Sequence, residues 1–327
     1  MIPNFIEKAP YEKGFTAHYD AHIRPVLEEV EAQRVAAQKE YKRRNKIAFI
    51  VDGLAILAFI LVILFAPEFI RMILETDDGG GLIIAGFIAL GAPFAWASAP
   101  LVKFKKGYKN RILPVICKFY GQLDYKEKNG SMPPEVLKSG IYPSFTKQKS
   151  EDYITGKYKD TQLSINELKL KKKSGKKTYT VFKGLSIVIQ FPKSFNGVTL
   201  LRRDKGKIGN WFESSKNMER VELEDPKFEA KFEVHSTDQI EARYLLTTAF
   251  MERLMDLAQA ANGTEGHTNI QAIFKGSSLM LAVPSKKNLF EPESILKSAF
   301  DLDDIHTFLK QMNEIFLLID LLKLDRN

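Results

Sequence analysis

The sequence predicts an α+β protein in which a two-helix transmembrane hairpin carries a cytoplasmic C-terminal mixed α+β domain with an antiparallel sheet. Two long apolar runs, 47–66 and 82–102, predict the hairpin. Apolar residues alternate with a period of two after residue 157, and a helical period returns after residue 236. The chain accordingly divides into an N-terminal cytoplasmic helix (1–46), the hairpin (47–102), a juxtamembrane basic helix and linker (103–150) and the α+β domain (151–327).

The segment before the hairpin is predicted to be an N-terminal amphipathic helix. Pro25 suits the first turn of a helix, where the missing N–H has no intrahelical partner to lose. Leu27, Val30 and Ala37 recur at helical spacing and place apolar side chains on one face. We expect this helix to continue into the first span as one rod. Residues 1–23 are amphipathic but too short to fold alone.

The two apolar runs have the length and composition of membrane spans. Residues 47–66 carry a single charge, Asp52, and at 1.5 Å per residue they extend about 30 Å, the thickness of a hydrocarbon core. Residues 82–102 carry no charge. Pro93 and Pro100 are compatible with a membrane helix because neighbouring helices can satisfy the freed backbone groups. Two buried core helices are the less favoured alternative.

Flanking charge predicts the orientation of the hairpin. Basic residues precede the first span and follow the second, whereas the connecting loop has one base, Arg71, and several acids. The excess of Lys and Arg on the cytoplasmic side of membrane proteins places both termini in the cytoplasm and the Asp77–Asp78 turn outside.

Asp52 is the candidate intramembrane polar residue. An ionisable residue in a membrane helix is by default a functional candidate. Because Asp52 lies about a turn and a half from the cytoplasmic boundary, pairing with Lys46 or another juxtamembrane base is favoured, and contact with the second helix is the alternative. Two helices are too few to line a conducting path unless the protein forms a homo-oligomer.

The charge distribution points to anionic lipid as a partner. Residues 103–220 contain 27 basic and 10 acidic residues, a net charge of +17, whereas 221–327 have a net charge of −7. A basic segment next to a span attracts the anionic inner leaflet by about 1 kcal/mol per base. Nucleic acid is not expected, because no nucleic-acid motif is present. The lone cysteine, Cys117, suits a reducing cytoplasm.

A basic β-hairpin begins the α+β domain. Period-two strands are predicted over 157–171 and 178–191, joined by a lysine-rich turn in which Gly175 supplies a left-handed residue. A solvated tip that protects the sheet edge is the plainer interpretation, and lipid contact is the functional one. The candidate anionic-lipid contacts are Lys103, Lys105, Lys106, Lys109, Lys171, Lys172, Lys173, Lys176 and Lys177.

The sequence after residue 191 predicts the other strands and helices of the α+β domain. Strands are predicted over 197–203, 218–223 and 228–235, followed by one helix from a cap at Ser236 or Thr237 to 262. A second hairpin is predicted over 269–274 and 278–283. The last helix, from about 301, has a broad apolar stripe that suits core packing or, less simply, a partner or self-association face.

Two runs in this domain, 218–238 and 241–254, resemble the signature of the bacterial domain-of-unknown-function 3137 family. The Val181–Leu185 and Phe195–Gly197 segments also fit, as does the layout of helix, hairpin and α+β domain. The resemblance implies an integral protein of the bacterial plasma (inner) membrane. The family has no established activity, so it implies no functional residue.

The sequence contains no P-loop, GxGxxG, GxSxG, HExxH or CxxC pattern. His18 and His22 have the spacing of two metal ligands but lack a third nearby, so solvated or capping roles are favoured. We therefore expect no cofactor and a non-enzymatic interaction or sensing module that binds lipid and a protein partner. A membrane-bound enzyme of unrecognised family and an oligomeric channel or transporter accessory subunit are the alternatives.

The predicted orientation can be tested by cysteine labelling. In intact spheroplasts, a membrane-impermeant maleimide should label Asp77→Cys, because the loop is expected outside, and should label Ser174→Cys only after permeabilisation. The native protein, with Cys117 alone, is the control. Labelling of Ser174→Cys in intact spheroplasts would contradict the predicted orientation and indicate the opposite one.

Overall fold

A computed structural model divides the chain into two compact units, described separately below. It describes residues 3–66, 68, 71, 79–127, 133–203, 217–223, 225–262, 269–285 and 302–324, without the side chains of 79–87, 105, 106, 227, 323 and 324. The helical unit comprises Met1–Ile2, Arg24–Lys109 and Pro292–Phe300. The sheet unit comprises Pro3–Ile23, Asn110–Glu291 and Asp301–Asn327.

The described helices are α1 (Phe15–His18), α2 (Arg24–Phe65), α3 (Gly79–Cys117), α4 (Pro134–Leu137), α5 (Pro226–Glu229), α6 (Gln239–Leu245), α7 (Thr248–Asn262) and α8 (Leu302–Leu324). Short 3-10 turns cover Pro10–Glu12 and Lys118–Tyr120, and a π-helical turn covers Tyr19–Ile23. The strands are β1 (Leu123–Lys126), β2 (Lys147–Tyr158), β3 (Thr161–Ser174), β4 (Lys177–Gln190), β5 (Val198–Arg203), β6 (Glu219–Val221), β7 (Phe232–Ser236), β8 (Gln271–Lys275) and β9 (Ser278–Pro284).

Helix α2 confirms the predicted rod. It begins at Arg24 with Pro25 in its first turn and continues without interruption to Phe65. Its apolar side chains after residue 46 are exposed, with Phe49 at 61% and Leu64 at 66%, whereas a core helix of a soluble domain would bury them. Within the described residues, one helical stretch, Pro10–Phe65, is long and apolar enough to cross a membrane by length and composition.

The second predicted span lies within α3, which passes through Pro93 and Pro100 as an unbroken helix. Phe49 and Phe94 pack edge-to-face at 5.1 Å, and the Arg44 guanidinium lies 4.8 Å from the centre of the Trp96 ring. The side chains of 82–87 and the predicted Asp77–Asp78 turn lie outside the described residues. A hairpin that crosses the membrane twice is therefore not shown, and it remains a proposal.

The sheet unit is built on one nine-stranded sheet in the order β1-β2-β3-β4-β9-β8-β5-β7-β6. All neighbouring strands are antiparallel, as predicted. The predicted hairpins β3–β4 and β8–β9 are both present. The sheet also contains β1 and the start of β2, which lie within the segment predicted as juxtamembrane helix and linker.

The two sides of the sheet are covered differently. On the side that we call the helix side, Phe250 of α7 packs on Phe274 at 5.7 Å, and Phe316 of α8 stacks on Tyr158 at 4.1 Å. The opposite side is the loop side, where Val136 and Tyr142 join a cluster with Leu170. Alternate residues of a strand point to opposite sides, so each central strand contributes to both layers.

The apolar stripe of α8 is core, as the simpler interpretation predicted. The buried residues of this helix are Ile305, Phe308, Leu309, Met312, Ile315, Phe316, Leu318, Ile319 and Leu322. Their burial leaves this stripe inside the sheet unit.

Residues 3–23 form an N-terminal arm that folds with the sheet unit. Phe15 and Tyr19 are fully buried, and the Phe5 ring stacks on His306 of α8 at 4.5 Å. The Glu12 carboxylate, 1% exposed, lies 2.6 Å from His306 Nδ1 and accepts a hydrogen bond from the Lys8 backbone N–H at 2.5 Å. That this segment is too short to fold alone stays a prediction; in the structure, contact with α8 contributes to its buried core.

Three predicted elements are divided in the structure. The predicted strand 157–171 crosses the turn between β2, which ends at Tyr158, and β3, which begins at Thr161. The predicted strand 228–235 is divided, because the Asp225 carboxylate accepts a hydrogen bond from the Phe228 N–H and starts the short helix α5. The predicted helix 236–262 is also divided, into α6 and α7. Its cap is Asp238, which accepts hydrogen bonds from the N–H groups of two following residues. The Thr247 hydroxyl then accepts one from the Phe250 N–H near the start of α7.

Gly156 of β2 should not tolerate a side chain. Its φ of +155° disfavours other residues, and an added Cβ would lie 1.7 Å from the Gln122 carbonyl oxygen. Gly156→Ala should therefore destabilise the protein by about 3 kcal/mol, lowering Tm in detergent by roughly 6–12 °C.

Gly175→Asn is the matched control. Gly175 also has a positive φ, +58°, but nothing lies within 4 Å of its added Cβ, and Asn adopts this conformation readily. This variant should lose less than about 1 kcal/mol. Equal melting temperatures for the two variants would contradict the steric argument.

Candidate functional site

The β3–β4 hairpin extends beyond the strand that follows it in the sheet. Strand β9 pairs only with Gly184–Gln190 of β4, whereas β3 pairs with β4 to its tip, where Ser174 is opposite Lys177. Strand β2 runs beside β3 on the other side from Lys147. Gly175 has φ +58°, which confirms the left-handed turn residue predicted from sequence.

The pairing register collects lysines from three strands on one side of the sheet. Lys149 is opposite Lys169, which is in turn opposite Lys183, and the next position along the same side pairs Lys147 with Lys171. Directly opposed residues of antiparallel strands point to the same side, as do alternate residues of one strand. These rules define the lysine face, on the helix side of the sheet: Lys147, Lys149, Lys169, Lys171, Lys173 and Lys183.

The lysine face is accessible. Lys147, Lys149, Lys171 and Lys173 are exposed, and Lys169 and Lys183 are half-buried. Neighbouring strands lie about 4.8 Å apart, and same-side residues lie about 6.8 Å apart along a strand. Each position on this side therefore has about 33 Å² of sheet surface. The sequence identified Lys171 and Lys173 only; the alternation of Lys169, Lys171 and Lys173 was the available signal for a shared side.

Two carboxylates lie at the inner end of the lysine face. Glu151 lies opposite Glu167 in the next row, on the same side of the sheet. Glu151 forms an ion pair with Lys149 at 2.5 Å, and Glu167 is 9% exposed. On this side of the three strand ends, the charge therefore changes from mixed at the inner end to positive toward the tip.

The other predicted hairpin lysines do not belong to the lysine face. Lys172 points to the loop side and donates a hydrogen bond to the Ser144 hydroxyl at 2.7 Å. Lys176 lies in the turn, and Lys177 begins β4; both are exposed. The predicted hairpin cluster is thus divided between a sheet face and a tip.

The juxtamembrane candidates differ in exposure. Lys103 is exposed, whereas Lys109 is 8% exposed, which removes it from the accessible surface. The side chains of Lys105 and Lys106 lie outside the described part of the chain.

Asp52 is buried in the helical unit, at 8% exposure. It lies one turn after the buried Ala48, on the side of α2 from which Arg44 contacts Trp96. Among the described residues, its Oδ2 atom has no hydrogen-bond partner. Asp52 is thus covered by protein, and its predicted interfacial position in a membrane stays a prediction.

The histidine pair of the arm has a local structural role. The rings of His18 and His22 lie 4.9 Å apart, and His18 Nε2 lies within hydrogen-bond distance, 2.8 Å, of the Val115 carbonyl oxygen. In the part of the chain that the structure describes, there is no group of three or more His, Cys, Asp or Glu residues that could hold a metal ion.

Cys117 is fully buried at the end of α3. Burial raises the pKa of its thiol to about 12, and the nearby Asp124 carboxylate contributes to the same effect. Because the thiolate is the reactive form, this cysteine is protected chemically as well as sterically.

The comparison with protein families supports the resemblance seen in the sequence. Residues 180–324 match the model of the family DUF3137, described as a protein of unknown function. This confirms the DUF3137 resemblance for that segment. The DUF3137 match begins within β4 and ends with α8, so of the lysine face it includes Lys183 alone.

The comparisons with solved structures and with curated proteins do not identify a function. The crystal structure of the mycobacterial trehalose monomycolate transport factor A, TtfA, is similar over 65% of this chain and 96% of that chain, with 13% identity and a TM-score of 0.31. A similarity of this size carries no argument about fold or function. No curated protein matches the chain.

The protection of Cys117 can be measured. At pH 8 its thiolate fraction should be about a thousandfold below that of a thiol with pKa 9.0, so iodoacetamide should modify the folded protein very slowly and the guanidinium-unfolded protein at the ordinary rate. Rapid modification of the folded protein would contradict its burial. Ser174→Cys, on the exposed hairpin, should react fast in both states.

Proposed function

We propose that this protein is a non-enzymatic interaction module held at the cytoplasmic face of the bacterial inner membrane. Its hairpin crosses the bilayer twice, and its sheet unit binds anionic lipid and presents its surface to a protein partner. The observation that carries the proposal is the concentration of accessible lysines at the ends of β2, β3 and β4.

The anchor supports this role through effective concentration. A domain attached to the bilayer meets lipid headgroups as an intramolecular event, so weak electrostatic contacts suffice. Each base near the surface contributes about 1 kcal/mol, and the contributions weaken as salt is added. The exposed apolar surface of α2 is what an anchor requires and what a soluble helix avoids.

The lipid contact can be tested with the full-length protein in proteoliposomes. Ser174→Cys carries an environment-sensitive dye, and the buried Cys117 leaves this site as the reactive thiol. The dye emission should shift to shorter wavelength with phosphatidylglycerol in the bilayer and remain unshifted in pure phosphatidylcholine. Replacing Lys171, Lys173 and Lys177 by Glu should abolish the shift, since it removes about 3 kcal/mol of attraction.

The matched control replaces three other lysines of the sheet unit by Glu. Lys157, Lys231 and Lys275 are exposed and lie outside the hairpin; their replacement by Glu should leave most of the shift. The same emission in neutral and anionic bilayers, or equal loss in both triple variants, would contradict hairpin-directed binding.

A further inference from the structure

We propose that the lysine face is a binding site for a lipid headgroup whose phosphate carries two negative charges, a phosphomonoester. The inference rests on the proposed function, in that the sheet unit binds anionic lipid, and it names the ligand class and the residues. It assigns different roles to the lysine face and to the hairpin tip.

The lysine face concentrates positive charge on a small area. Lys149, Lys169 and Lys183 form a row across three strands, so their Cα atoms span about 10 Å. A lysine side chain is long enough for the outer ammonium groups of such a row to approach the central one. One compact ligand can therefore contact all three ammonium groups when Lys149 exchanges its exposed ion pair with Glu151 for the ligand, which dispersed surface lysines do not permit.

The charge of the headgroup distinguishes the two classes of anionic lipid. A phosphomonoester carries a charge of about −1.5 to −2 at pH 7 and offers three acceptor oxygens. A phosphodiester headgroup carries one charge and has two non-bridging oxygens. Lysine ammonium groups act as point charges with rotatable donors, so they select ligand charge more than ligand shape.

The local electrostatics of the lysine face favour a dianion. Opposed like charges on neighbouring strands repel one another. The ion pair of Lys149 with Glu151 offsets part of this repulsion, and a dianion placed among the lysines would offset more of it. Glu151 and Glu167 close the inner end of the face to anions. The open end leads toward Lys173 and the tip, so a headgroup approaches from the hairpin end.

The tip lysines provide an internal comparison. Lys172 is held on the loop side by Ser144, and Lys176 and Lys177 flank the turn. Being outside the face, they add general attraction to any anionic surface without concentrating charge on one phosphate. The two sets should therefore differ in selectivity more than in total attraction.

The test uses full-length protein held in neutral phosphatidylcholine nanodiscs and co-floated with separate vesicles. The vesicles contain phosphatidic acid, a phosphomonoester, or phosphatidylglycerol, a phosphodiester, at matched surface charge. Wild-type protein should bind the phosphatidic acid vesicles about tenfold more tightly. The variant with Lys149, Lys169 and Lys183 replaced by Gln should lose this preference, and the variant with Lys172, Lys176 and Lys177 replaced by Gln should keep it while binding both vesicles more weakly.

Folding is controlled by thermal unfolding of each variant. Lys147→Gln with Lys149→Gln gives a second route, because both side chains are exposed; this double variant should reduce the preference without a fall in Tm. An unreduced preference in both lysine-face variants would overturn the site.

The outcomes separate this inference from the proposed function. Binding to neither vesicle would overturn the phosphomonoester site, whereas loss of the dye shift in anionic proteoliposomes would contradict lipid binding by the anchored domain. Equal binding to both vesicles, or equal loss of preference in both triple variants, would overturn only the phosphomonoester site. Free tripolyphosphate should displace the phosphatidic acid vesicles through the same lysines. Tripolyphosphate binding without any vesicle binding would assign the site to a soluble anion and overturn the lipid source.

Discussion

The sheet unit depends on one constraint, the register of β2, β3 and β4. Ile165 lies opposite Ile187, and both are fully buried on the helix side. A slip of one residue would turn these side chains to the loop side and bring polar neighbours under the helices, so apolar burial fixes the pairing. The same β3–β4 pairing sets Lys169 opposite Lys183. A bulge between Glu151 and Tyr153 then shifts the β2 register by one residue, and Lys149 completes the row. The core and the Lys169–Lys183 pair therefore depend on one β3–β4 register.

The row of opposed lysines lowers the stability of the sheet. Directly opposed like charges cost a few tenths to about 1 kcal/mol per pair, and Lys169 has a lysine opposite it on each side. The apolar inner halves of the strands offset that cost. The phosphomonoester that we propose for the lysine face would offset this cost, and its binding would then be linked to the stability of the sheet.

The chain path joins the helical unit to the sheet unit at two points. The N-terminal arm ends at Ile23, directly before α2, and the sheet unit resumes at Asn110 within α3. The arm is held by buried aromatic rings and by the contact of Glu12 with His306 of α8. The first and last described segments of the sheet unit are thus packed together, and the helical unit is inserted between them in sequence.

Local patterns in the sequence determined the apolar helix, the antiparallel hairpins, the Gly175 turn and the apolar stripe of α8, because each depends on residues that are neighbours in the chain or on one helix face. They also carried the DUF3137 resemblance, confirmed over 180–324. Local signals were weaker where competing caps lay close together: Asp238, rather than Ser236, begins the helix, and the region before Asn262 contains two helices.

Only the tertiary structure decided which lysines share a surface, that Lys172 lies apart from Lys171 and Lys173, that Asp52 is buried and that residues 3–23 belong to the sheet unit. Each of these features depends on pairing or packing between residues far apart in the sequence. A period of two assigns side chains to alternate sides of a strand, but it does not say which strand lies beside it or in what register. Burial of the shared core supplies that information.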